Sequence, residues 1–89
     1  MNSYKTNDLG IKSIKKVKKV SATLFCTTLD NLQNDTFFTL KPFEYPKDSQ
    51  VYTKDFYCRE EKKYCISNYS NTSEKLCKGD KVVYINFEF

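Results

Sequence analysis

The chain has 89 residues, a net charge of +4, 39% hydrophobic and 16% aromatic residues, four cysteines and no histidine. At this length it makes one domain with a marginal core, because so short a chain buries only about 60% of its unfolded surface. The missing histidine excludes Ser-His-Asp and Cys-His catalysis, and there is no glycine-rich phosphate loop, so the sequence reads as a binding protein and not an enzyme.

Residues 1–10 are polar and read as a flexible N-terminal arm, leaving 11–89 as a single small domain. Ile11, Ile14, Val17 and Val20 recur every third residue, which hints at a helix, although Lys-Val-Lys-Lys-Val reads equally well as a strand. Alternation over 17–29 predicts a strand with Val20, Ala22, Leu24 and Cys26 on its apolar face. A turn follows at 30–35, then a strand at 36–40, ended by Lys41-Pro42, and a loop over 43–49 containing Pro46. Strands at 51–58 and 64–67 flank the charged block Arg59-Glu60-Glu61-Lys62-Lys63, which reads as a hairpin tip. Asn71-Thr72-Ser73-Glu74 has the layout of a capping box, predicting a short helix through Cys77 that Gly79 would end. The last strand, 82–89, alternates Val83, Ile85, Phe87 and Phe89 with Val82, Tyr84, Asn86 and Glu88, and is expected inside the sheet and not at its edge. The expected fold is α+β and mostly β. It has about five largely antiparallel strands, in an open sheet or a small barrel, and one short helix.

Four cysteines in so small a domain suggest a staple. Cys26, Cys58, Cys65 and Cys77 supply enough thiolates for a structural, tetrahedral zinc site without histidine. Cys58 and Cys65 would sit together across the hairpin, with Cys77 at the end of the helix and Cys26 reaching in from the first long strand. Three alternatives stand beside it: a three-cysteine site with Cys26 merely buried, four free thiols, or two disulfides. The polar N-terminus lacks the apolar region of a secretion signal, so the expectation is a reducing cytosol with no membrane span, where disulfides rarely persist.

Charge is concentrated early. Lys12, Lys15, Lys16, Lys18 and Lys19 could neutralise phosphates, and tyrosines such as Tyr52, Tyr57, Tyr64 and Tyr84, with Phe56, could stack on bases. The competing reading makes these lysines the solvated protectors of an edge strand and the aromatics core. Contact with a protein would draw on the 59–63 turn (Arg59, Glu60, Glu61, Lys62, Lys63) and on Phe43 and Tyr45 of the 43–49 loop.

The chain is rich in Lys, Asn, Tyr and Ile, as in Asn68-Tyr69-Ser70-Asn71 and Lys81-Val82-Val83-Tyr84-Ile85-Asn86. In this usage, its size and its lack of a catalytic set, it resembles the small phage-encoded anti-CRISPR proteins that inhibit the type II effector nuclease. The resemblance implies a zinc-stapled inhibitor that acts in the host cytosol by stoichiometric protein–protein binding, with the nuclease as partner. The net positive charge departs from the acidic DNA mimics of that group and implies contact with a protein surface. The alternative is a single-stranded nucleic-acid-binding protein built on an OB-like barrel.

Overall fold

A computed structural model describes residues 10–87. They form one seven-stranded antiparallel sheet: β1 (Lys18–Lys19), β2 (Phe25–Thr28), β3 (Phe37–Thr39), β4 (Val51–Cys58), β5 (Lys63–Asn68), β6 (Glu74–Cys77) and β7 (Val82–Ile85). The order across the sheet is β1-β2-β7-β3-β4-β5-β6. The mostly-β expectation holds, with more and shorter strands than the alternation suggested. Among the described residues the helical pieces are 3-10 turns, at Ile14–Lys16, Leu29–Asn31 and Asp48–Gln50. The arm expected over 1–10 lies, except for Gly10, outside the described residues.

Local chemistry explains where the elements depart from expectation. The three-residue repeat of Ile11, Ile14 and Val17 is the period of a 3-10 helix, and one such turn forms at Ile14–Lys16. The strand expected over 17–29 folds back on itself: β1 pairs with β2, Lys18 opposite Cys26, and Val20 N–H donates to Leu24 C=O at 2.8 Å to close the bend. The bend breaks the alternation, so Phe25 and Thr27 face the core and Cys26 takes the other side. The helix expected through Cys77 is instead strand β6. Asn71 is not a helix cap. Its Oδ1 accepts from Ser73 N–H at 2.9 Å in an Asx turn, and Thr72 has a φ of 57°. The pair Asn68 N–H to Ser73 C=O at 2.8 Å then closes a β5–β6 hairpin. A short polar side chain that bonds two residues ahead serves a turn as readily as a helix start. The last strand lies inside the sheet, between β2 and β3, as expected, but ends at Ile85, where Asn86 has a φ of 67°.

The sheet is strongly curled. β6 and β7 are four steps apart in the sheet, about 19 Å if it were flat, and twist turns the strand direction by about 90° over that distance. Residues 78–81 alone connect them, a reach of about 17 Å from Cys77 to Val82. The connection holds by bonding to the end of β2: Leu29 N–H to Lys81 C=O and Asp30 N–H to Gly79 C=O, both 2.9 Å.

The concave face so formed carries the core: Phe38, Ile66, Val83 and Ile85 from the sheet, with Ile11, Leu29 and Leu32 laid over it. Buried Asn31 straps the 10–17 segment in place. Its Nδ2 donates to Ser13 C=O at 2.9 Å and to Thr27 Oγ1 at 3.0 Å, and its Oδ1 accepts from Ser13 N–H at 2.9 Å. Gly10, at a φ of 71°, packs so closely on Thr36 that a Cβ there would meet its Oγ1 at 2.4 Å. Lys54 also points into this core and is completely buried. Its Nζ donates to Leu32 C=O and lies 4.2 Å from the centre of the Tyr64 ring.

Candidate functional site

Register decides what the other, convex face presents, because residues paired across antiparallel strands share a face. Phe37 lies opposite Thr53, Thr53 opposite Ser67 and Ser67 opposite Glu74. In the next row Cys65 lies opposite Leu76. Between Lys54 and Tyr57, β4 carries one residue more than β5, a bulge that sets both Asp55 and Phe56 against Cys65. Large apolar groups therefore stand in solvent here: Phe56 is 61% exposed, Phe37 45%, Tyr69 47% and Leu76 42%. Phe37 and Tyr69 pack edge to face, with ring centres 5.6 Å apart, so part of the surface is already assembled.

At the centre of the same face, donor atoms of Asp55, Cys65 and Glu74 all lie within 4.8 Å of one another. Ser67 Oγ donates to Asp55 Oδ2 and holds that carboxylate in place. Cys65 is buried, and burial is the main reason its thiol pKa is raised; the neighbouring charges of Glu74 and Asp55, a hydrogen bond with Glu74 and the nearby Cys58 push it the same way. A divalent cation would reverse that balance, since it neutralises both carboxylates and favours the thiolate. Zinc accepts this mixed sulfur and oxygen set, whose atoms would close to about 3.4–3.8 Å from one another around a tetrahedral ion. Asp55, Cys65 and Glu74 thus fit a metal as three ligands, with a fourth position left over.

The four cysteines do not converge as a set. Cys58 lies opposite Lys63, on the same face as Cys65. Cys77 lies opposite Tyr64, hence on the concave side, packed against the core. Cys26 belongs to β2, opposite Tyr84, several strands away. All four are free thiols. Alternation explains the split: Cys65 and Cys77 face each other's neighbours, not each other. Two of the ligands the geometry offers, Asp55 and Glu74, are not marked by any spacing in the sequence, because the β4 bulge and the β5–β6 pairing bring them to Cys65.

The remaining expected contact residues are scattered. Arg59, Glu60, Glu61 and Lys62 form the β4–β5 hairpin loop, with Lys62 at a φ of 57° and Lys63 closing it opposite Cys58. Phe43 is half-buried and Tyr45 is 77% exposed, both in the β3–β4 connection. Lys12, Lys15, Lys16, Lys18 and Lys19 are all exposed; the last two are β1 itself, the edge of the sheet opposite β6. Of the aromatics expected to stack on bases, Tyr52 and Tyr64 pack against the core, Tyr84 is half-buried, and Phe56 and Tyr57 are exposed. No helix among the described residues is long and apolar enough to cross a membrane.

The chain matches no protein-family model, no curated protein and no solved structure.

Proposed function

We propose that the chain is a stoichiometric protein-binding module that docks through the convex face of β3–β6. The observation that carries this reading is the group of exposed apolar side chains, Phe37, Phe56, Tyr69 and Leu76, on one sheet face around a carboxylate centre. Exposed aromatics grouped this way are the material of interface hot spots. Asp55 and Glu74 would repel a phosphate backbone, and the lysine run occupies the far edge of the sheet, which favours a protein partner over a nucleic acid. A zinc ion on Asp55, Cys65 and Glu74 would brace β4, β5 and β6 beneath the contact surface. The partner implied by the resemblance in sequence character is the effector nuclease of a type II CRISPR system, met in the host cytosol.

The test is titration of that purified nuclease with the chain, following DNA cleavage and co-elution. Stoichiometric inhibition is expected, weakened at least tenfold by Phe37→Ala with Phe56→Ala while the melting temperature stays within a few degrees. Inhibition unaffected by the double variant refutes the assigned face. Absence of binding, with tight salt-sensitive binding to generic single-stranded oligonucleotides, refutes the protein-binding reading.

A further inference from the structure

A second surface lies along the edge of β6. Leu40, Lys63, Lys75, Leu76, Cys77, Lys78, Asp80 and Lys81 line a cleft of about 380 Å³ between the β6 edge and the turn into β7. Four lysines against one carboxylate make it a cationic concavity, and no ion pair holds any of the four there. Lys75 is positioned, its Nζ 5.0 Å from the centre of the Tyr52 ring, itself stacked on Phe38. The chain brings these lysines together by two constraints already described. The 78–81 connection must turn sharply to reach β7, which sets Lys78 and Lys81 at the cleft, while Lys63 of β5 and Lys75 of β6 reach its rim from opposite faces of the sheet.

We propose that this cleft binds a nucleoside polyphosphate. Four lysines and one carboxylate around one cleft favour a ligand carrying several negative charges. Lysines act here as point charges on phosphate oxygens. The volume is that of a small-molecule site and is far more than one phosphate fills. The apolar stretch of the wall, Leu40 and Leu76 with the Cys77 side chain, matches a base and sugar. The site borders the protein-docking face at Leu76, but its lysines are not part of that face and the proposal stands whether or not that face does.

Cys77 in the wall gives a direct readout. The four thiols are alkylated with and without ATP at constant ionic strength, and each is followed by mass spectrometry. ATP is expected to slow modification of Cys77 at least fivefold and leave Cys26 unchanged. Lys75→Gln with Lys81→Gln abolishes the protection, and Lys12→Gln with Lys15→Gln retains it. Both pairs are exposed, so the variants fold. Equal slowing at Cys26, no slowing at millimolar ATP, or protection that survives the Lys75/Lys81 change overturns the proposal. Protection by inorganic triphosphate equal to that by ATP overturns the assignment of the apolar wall to a nucleoside.

Discussion

Lys54 makes the stability of this protein rise with pH over a range where most domains are flat. Its side chain is completely buried, bonded to Leu32 C=O and set against the Tyr64 ring. Burial first, then the charge of Lys12, lowers its pKa from 10.5 to about 8, with Asp30 opposing weakly. The unfolded chain keeps this proton up to about 10.5, whereas the folded chain gives it up near 8. Between those values the unfolded state binds more protons, so unfolding becomes harder as pH rises, by at most about 1.4 kcal/mol per unit. From pH 7.5 to 9 the gain integrates to about 1.2 kcal/mol. Cys65 works against it: burial raises its folded pKa, so some stability is lost as the unfolded thiol ionises. Tyr64, raised above 10 by burial and by Asp30, adds to that loss only at higher pH. The net is a gain of less than about 1.2 kcal/mol to pH 9, and the opposing thiol and phenol flatten the rise beyond it. With a urea m-value of about 1–2 kcal/mol per M for a chain of this size, the midpoint moves up by about 0.5–1 M. Lys54→Met removes the titrating group. At pH 7.5 it exchanges the cost of a buried charge for an unpaired Leu32 carbonyl worth about 1–3 kcal/mol, so the two proteins lie close together there. By pH 9 the variant falls behind by about 1.2 kcal/mol more than at pH 7.5. A difference between variant and parent that stays constant from pH 7.5 to 9 refutes the reasoning.

Asn31→Ala cuts three hydrogen bonds and frees the segment over the core. It is expected to cost about 2–4 kcal/mol in urea denaturation, with hydrogen exchange at Lys12 and Ser13 rising first. Zinc added to chelator-treated protein is expected to bind at one ion per chain, to raise the melting temperature and to lose most of its affinity with Cys65→Ser, whereas Cys26→Ser changes neither; binding that survives Cys65→Ser places the ion elsewhere.

Strand existence was legible in the sequence because alternation is a local signal. The sites at 36–40, 51–58 and 64–67 appear within a residue or two of where the sheet forms. What alternation cannot carry is the point at which a strand turns back. The bend at 20–24 moved Cys26 from the apolar face to the other one, and the Asx turn at Asn71 converted an expected helix into β6. Both errors passed directly into the metal site. A one-residue change of phase decides which side of a sheet a cysteine occupies, and Cys65 and Cys77 ended on opposite sides. The buried Lys54 was invisible for a different reason. Lysine on a strand reads as solvent-facing, and only the long-range packing of Leu32 and Tyr64 shows that its stem and head both lie inside.

The two sides of β6 meet in one residue, Gly79, where fold and ligand surface depend on the same few atoms. A Cβ there would lie 3.1 Å from both Asp30 Cβ and Tyr64 Cε2. Asp30 belongs to the end of β2, and Tyr64 to β5 and the Lys54 contact, so the close approach ties the curl of the sheet to the packing of the buried lysine. The same turn sets Lys78 and Lys81 in the cleft. Compaction at Gly79 lets a four-residue connection join strands four steps apart in the sheet. The cationic cleft is therefore a consequence of how the sheet closes, and its charge must be offset either by solvent or by a bound anion. The convex face carries no such obligation: its backbone pairing does not depend on the exposed rings of Phe37 and Phe56.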